Sequence, residues 1–195
     1  MNKRRKDMSS QILQVALELF TRQGYDKTSL REIAERLEVS KAALYYHFVS
    51  KEEILHALVA AIPRAFDELV AWGESMPRSA ESRKEILRRL AALTSEKLDP
   101  VLRFVQANST AIEAVSGDSE PMHEVLTPGL RRIAGILFDA GADVKDQIRA
   151  IVAVNMVMMA SHPILPDVGL EATPEQVSEA VRDLALGLVS NRSPA

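Results

Sequence analysis

Apolar residues recur along this chain at intervals of three and four, and no convincing run of period-two alternation appears. The pattern therefore predicts helices throughout and no sheet. Ile12, Ala16, Leu19 and Phe20 form one stripe on a helix from about Ser9 to Gln23, and Gly24 is placed to stop it. Ser29 and Glu32 stand three apart as a capping box, and Leu30, Ile33, Ala34 and Leu37 then face one way over 29–37. Ser40 caps a short helix reaching Phe48, and Ser50 with Glu53 is a second capping box. That box opens a helix to Ile62, where Pro63 either kinks it or starts a new one that continues to Trp72. Further helices are expected over 82–98, marked by Ser82 and Glu85, and from Asp99-Pro100 to about Val115. Others are expected over 122–140, 144–161 and 174–190, the last begun by Thr173 and Gln176.

Three helices within the first fifty residues, the second and third joined by a turn of about three residues, make a helix-turn-helix arrangement. The short helix is unusual in composition. The chain has nine Phe, Tyr and Trp residues in 195, yet Tyr45, Tyr46 and Phe48 fall within four positions, beside His47 and between Lys41 and Lys51. At about 100° per residue, Leu44 and Phe48 share one face and should pack on Ile33, Ala34 and Leu37. Tyr46 points away from that face with Ala42 and Ala43, while Tyr45 and His47 lie on opposite flanks.

An outward-facing second helix is the element that enters the DNA major groove in proteins of this arrangement. The small Ala42 and Ala43 permit close approach and can meet a thymine methyl. Lys41 can reach a guanine edge or a phosphate. Tyr45, Tyr46 and His47 offer donors suited to phosphate oxygens at the rim. Lys51 and the free amides that begin the following helix form another phosphate site, and Ser29 serves either as an equivalent anchor or as a cap alone.

Charge supports this placement. Net charge is −3, but residues 1–51 carry ten Lys and Arg against six Asp and Glu, and residues 52–195 carry fourteen against twenty-one. A basic first part on an acidic remainder suggests that only the first part meets a polyanion; chance clustering, with four of the positive charges in Lys3 to Lys6 as a frayed tail, is the alternative. The absence of cysteine excludes disulfide and thiolate chemistry and fits a cytoplasmic protein. The basic amino terminus has no apolar stretch behind it, so no secretory signal is expected, and 150–160 is too short to span a membrane.

The run TSLREIAERLEVSKAALYYHFVSKEEIL (28–55), following a helix that ends LFTRQGYDKTS, resembles the DNA-binding segment of TetR-family transcriptional regulators. The likeness covers about residues 9–56 and rests on Ile33-Ala34, Val39-Ser40, Leu44 to Phe48 and Ser50 to Glu52. It implies an all-helical homodimer. A three-helix helix-turn-helix DNA-binding domain (1–51, helices about 9–23, 29–37 and 40–48) would precede a larger ligand-binding and dimerisation domain (52–195). It further implies a repressor released from palindromic operator DNA by a small apolar or amphipathic ligand. By that resemblance Tyr45, His47 and Lys51 match phosphate-contacting positions and Lys41 to Ala43 the base-reading region. With Ser29, Ser40 and Tyr46 these are the candidate DNA-contacting residues. Two departures stand out. Glu38 occupies a turn position where the family commonly has Gly, and a left-handed backbone there costs about 1–2 kcal/mol. Ala42 and Ala43 replace a common Gly followed by Thr or Ser, so an operator sequence does not carry over.

The remaining residues show no comparable motif. Residues 151–160 are apolar all round except for Asn155, which predicts burial on every side, against the chain's own core and a second subunit. Ile151 and Val152, with Val181, Leu184 and Leu188 of the last helix, are the candidate dimer interface; packing within one subunit is the alternative. Candidate ligand-facing groups are Phe66, Trp72, Phe104, Asn108, Asn155, Met156, Met159 and His162, with Gln106 and Met158, each of which also suits ordinary core or hydrogen-bonded structure. Pro63 would mark either a ligand-sensitive kink or a plain helix boundary. A regulator without a small-molecule ligand, controlled by a protein partner, is the alternative function, and a helical enzyme or scaffold a more distant one. No phosphate-binding Gly loop, HExxH motif, cysteine nucleophile or metal-ligand spacing among the four histidines is present, so neither catalysis, cofactor nor metal is expected.

Overall fold

A computed structural model of the chain describes residues 3–107, 122–161 and 171–190, and among them every regular element is helical. The protein is all-α, with an amino-terminal helix-turn-helix and a larger helical part behind it. Nine α-helices are seen among the described residues: α1 (Lys3–Gln23), α2 (Leu30–Arg36), α3 (Lys41–Tyr45), α4 (Lys51–Glu74), α5 (Ala80–Ala92), α6 (Asp99–Ala107), α7 (Met122–Ile136), α8 (Val144–Ser161) and α9 (Pro174–Ser190). They divide into two compact units, residues 1–62 with 100–120 and residues 63–99 with 121–195.

In the first unit the stripe Ile12, Ala16, Leu19 and Phe20 of α1 is buried. The helix begins at Lys3, six residues before the expected Ser9. Lysine, arginine and methionine are good helix formers, and no Gly or Pro interrupts the run, so Ser9 falls inside the helix. Gly24 ends it with φ +95°, its amide bonding the Phe20 carbonyl at 3.0 Å, a single left-handed cap. Helix α2 carries the capping box: Glu32 N donates to Ser29 Oγ at 3.2 Å and Ser29 N to Glu32 Oε2 at 2.7 Å.

Beyond α2 and its cap residue Leu37 the chain turns at Glu38, whose φ is +55°. Glu38 N reaches Glu35 O at 3.1 Å and Val39 N reaches Ala34 O at 3.0 Å. These two bonds are those of a Schellman motif, with glutamate in the place usually taken by glycine. Helix α3 is shorter than expected and stops at Tyr45. A tight turn completes the element, with His47 N and Phe48 N both donating to Leu44 O at 2.9 and 3.0 Å. Helix α6 also belongs to this unit. Phe104 is buried and stacks on Phe20, ring centroids 5.4 Å apart, with Tyr25 at 6.4 Å.

Helix α4 runs unbroken through Pro63, so the proline neither ends it nor starts a new helix. Pro63 lacks the amide that would serve the Val59 carbonyl, but it sits on an exposed face, where water can satisfy that carbonyl. Helix α5 starts one turn earlier than expected. Ser79 is its cap, accepting from Ser82 N at 3.1 Å, and Ser82 itself is buried.

Asp99 does not cap a separate helix either. Residues 93–98 form a π-helical turn joining α5 to α6, and the Asp99 amide bonds the Thr94 carbonyl five residues back. Thr94 Oγ1 donates to the Leu90 and Ala91 carbonyls, each at 3.0 Å, and Ser95 Oγ to Ala91 O at 2.8 Å. These hydroxyls take up carbonyls released by the wider turn, and the turn leaves room for a Pro100 ring with no amide to offer.

In the second unit α9 packs along α8 and α5. Ile86, Leu87 and Leu90 of α5, Ala150, Ala153, Val154 and Val157 of α8, and Ala185 and Val189 of α9 are all buried. Arg83, also buried, donates from Nε to Val189 O at 3.2 Å, closing the carboxyl end of α9. Helix α8 is buried along this side only. Its Ile148, Ile151, Val152 and Met159 are exposed in the single chain, so burial on every side is not met within one subunit.

Candidate DNA interface

Two buried side chains fix the attitude of α3. Leu44 is 0% exposed and Phe48 is buried, which turns the opposite face outward. That face carries Lys41, Ala42 and Ala43, all exposed, and Tyr46, 67% exposed. Tyr45 is exposed on one flank and His47 half-buried on the other. Ser40 caps the helix by accepting from Ala43 N at 3.1 Å. The candidates from Ser40 to His47 thus form one small face and its edges.

His47 is held from two directions. Its Nδ1 lies 2.9 Å from Ser9 Oγ of α1. Its ring stands perpendicular to that of Tyr46, centroids 5.3 Å apart. Lys51, in the first turn of α4, is tied to the loop after α1: Nζ donates to the Tyr25 carbonyl at 2.8 Å and lies 4.4 Å from the Tyr25 ring centroid. An ammonium has three donors, so two remain for other acceptors. Tyr25 in turn donates from its hydroxyl to Glu52 Oε1 at 3.3 Å. Burial, and then the neighbouring Glu52 carboxylate, push the Tyr25 phenol above its usual range. Glu52 is held below the usual carboxylate range, first by its own backbone amide and then by Ser50.

Ser29 stands apart in character. Its hydroxyl also donates to Glu32 Oε2 at 2.9 Å, so both its proton and a lone pair belong to the capping box. At the start of α4, Glu53 N donates to Ser50 Oγ at 3.2 Å, and the Glu53 carboxylate accepts from Val49 N at 2.8 Å, one residue earlier than a standard box. Ser9, Tyr25 and Glu52 support this face but are not among its sequence candidates. Nothing local announces them, because their bonds span 38, 26 and 27 residues.

The candidate ligand-facing residues are not gathered at one place. Phe104 belongs to the first unit, among Phe20 and Tyr25. In the second unit Phe66 is buried against Gly129. Trp72 is half-buried with the Arg89 guanidinium 3.6 Å over its ring. Asn155 is exposed and donates to Ile151 O at 2.8 Å; Met156 and Met158 are half-buried and Met159 is exposed. Asn108, His162 and the side chain of Gln106 lie outside the described residues. An open cleft of about 300 Å³ in the second unit is instead lined by Leu87, Ala91, Val157 and Leu186, with Arg88, Glu96 and Arg182 also on it. Of the candidate interface residues, Ile151, Val152 and Leu184 are exposed, and Val181 and Leu188 half-buried. Among the described residues no group of His, Asp and Glu could hold a metal ion, and no helix is long and apolar enough to cross a membrane.

A short helix pinned by Leu44 and Phe48 behind a turn, with small and polar residues outward, defines a helix-turn-helix protein. Comparison with known proteins narrows the class. Residues 12–58 match the family described as bacterial regulatory proteins, tetR family. The HTH-type transcriptional regulator TcmR of Streptomyces glaucescens is 45% identical over 56 residues, 29% of this chain and 25% of that protein. The biofilm operon icaADBC HTH-type negative transcriptional regulator IcaR of Staphylococcus epidermidis is 45% identical over 47 residues, 24% of this chain and 25% of that protein. The chain thus spans about a quarter of the length of these curated relatives. Over the whole fold, a transcriptional regulator of the TetR/AcrR family from Thermobifida fusca YX-ER1 superposes with a TM-score of 0.54 at 26% identity, covering 92% of this chain and 97% of that one. Over residues 12–58 the chain matches the tetR family, its fold is shared with a TetR/AcrR-family regulator, and the proteins it matches are transcriptional regulators.

Proposed function

We propose that the chain is a homodimeric transcriptional repressor that binds operator DNA through α3 and is released by a small apolar or amphipathic molecule. The observation that carries this reading is the attitude of α3: Leu44 and Phe48 are buried while Ala42, Ala43 and Tyr46 face outward. Lys41 to Ala43 read base edges, and Tyr45, His47 and Lys51 hold phosphates on either side. Ser40 anchors the first turn of α3, and Ser29 chiefly caps α2. The negative regulation named for IcaR favours repression over activation. Two copies related by a twofold axis would present their α3 helices to successive major grooves, about 34 Å apart.

The apolar walls and charged members of the cleft beside α5 and α9 favour a small amphipathic effector over control by a protein partner. Phe66 and Phe104, being fully buried, take part only if their surroundings open. An effector releases DNA to the extent that it binds the DNA-free form more tightly than the bound form. The test uses a duplex selected from a random library by the full-length chain. Affinity for it should fall with salt, with a slope of log K against log [salt] of about −0.9 for each phosphate contact. Ala42→Glu, which places a carboxylate on an exposed position, should abolish binding with unchanged helicity. Binding that ignores both salt and Ala42→Glu rules the reading out.

A further inference from the structure

His47 is one of the residues assigned above to a DNA phosphate, and an imidazole can serve there only if the nitrogen facing the phosphate carries a hydrogen. A neutral imidazole has one N–H and one bare nitrogen, and the partner of one nitrogen decides the state of the other. In this chain that partner is Ser9, whose Oγ lies 2.9 Å from Nδ1. A serine hydroxyl has one proton to give and lone pairs to offer, so its direction is set by its other contacts. The Ser9 hydroxyl has no second hydrogen-bond partner among the described residues. Either atom can donate across this contact; with the hydroxyl as donor, Nδ1 is the acceptor and the ring hydrogen sits on Nε2. The other direction would leave a part-buried hydroxyl hydrogen without a protein partner and place the bare nitrogen at Nε2, where a phosphate oxygen would meet a lone pair.

We propose that Ser9 is a positioning residue for DNA binding: its hydroxyl donates to Nδ1 of His47, fixes the ring, and leaves Nε2–H as the phosphate donor. The inference rests on the regulator reading given above. It joins α1 to the DNA-facing edge of α3 through one bond between residues 38 apart. Tyr46, standing perpendicular to the imidazole at 5.3 Å, limits rotation of the ring from the other side. Ser9 itself touches no DNA in this scheme and acts through His47.

The experiment measures affinity of the full-length chain for a duplex that the wild-type chain has selected from a random library. Ser9→Ala should weaken binding about fivefold, the usual consequence of losing one hydrogen bond. Ser9→Thr, which keeps a hydroxyl, should bind as wild type does. In a His47→Ala background Ser9→Ala should cost nothing further, because the bond it removes is already gone. Side-chain ¹⁵N spectra of histidine, assigned with His47→Ala, should show the Nε2–H tautomer in the wild-type chain. An unchanged affinity for Ser9→Ala, the same loss in both backgrounds, or an Nδ1–H tautomer would each overturn this inference alone. A wild-type chain that selects no duplex overturns the regulator reading and this inference with it.

Discussion

Glu38 carries the one positive φ among the described non-glycine residues, +55°, at the turn between α2 and α3. A side chain there costs about 1–2 kcal/mol, and glycine would return part of that gain through its freer unfolded chain. Glu38→Gly should therefore raise stability by about 0.5–1 kcal/mol, read as a higher urea midpoint with an unchanged slope. A lower midpoint would mean that the glutamate side chain supplies a compensating interaction. Nine residues earlier, the capping box at Ser29 gives α2 its start, and Ser29→Ala should cost about 1 kcal/mol. The Glu32 carboxylate is held below its usual range, first by the Ser29 backbone amide and then by the Ser29 hydroxyl and Gln23. A carboxylate with a lowered folded pKa stabilises the protein above its unfolded pKa of about 4.3 and loses that contribution as pH falls through the folded value. Glu32→Gln keeps an oxygen able to cap but does not titrate. Between pH 7 and pH 3 the variant should lose less stability than wild type, measured by urea unfolding at the two pH values; parallel losses would count against the assignment.

Among elements, those built from local signals were the legible ones. The α2–turn–α3 region follows from capping boxes, a four-residue apolar spacing and one aromatic cluster, all within thirty residues of sequence. Helix α3 facing outward required only the positions of Leu44 and Phe48. What local pattern did not convey was set by distant partners or by absent breakers. Nothing local showed that Phe104 would pack with Phe20 and Tyr25, or that Ser9 would meet His47. Asp99-Pro100 has every mark of a helix start, yet the hydroxyls of Thr94 and Ser95 satisfy enough carbonyls for a π turn to carry the helix through. Gly129 is a further case of tertiary control. Any β-carbon on it would run into the Phe66 ring, so α4 and α7 meet closely only because this position is bare. Gly129→Ala should destabilise by about 1–3 kcal/mol, and Phe66→Leu should recover part of that loss in the double variant, measured by thermal unfolding. Strictly additive losses would show that the two residues do not share the strain.

At the scale of the whole molecule the apolar surface left open on α8 and α9 needs an occupant. Ile148, Ile151, Val152 and Met159 follow the spacing of a single helix face, and all are exposed. On α9 the exposed Leu184, 63% accessible, lies with Ala180, Gly187 and Leu188 along a shallow groove that reaches Arg149 of α8. Small residues at 180 and 187 permit close approach of another helix, and large ones at 184 and 188 give it something to bury. A second copy of the chain, bringing the same two helices antiparallel, is the proposed partner and would form a four-helix contact. Ile151→Glu with Leu184→Glu places four carboxylates in that contact per dimer and leaves each subunit's own core untouched. The double variant should elute and scatter as a monomer with wild-type helicity. Its affinity for a two-half-site duplex should fall by about 10²–10⁴, because each helix-turn-helix would then bind without the effective concentration supplied by its twin. Its affinity for a single half-site should stay near that of the wild-type chain, which separates lost dimerisation from a damaged DNA-binding face. A double variant that remains dimeric would move the interface away from these helices.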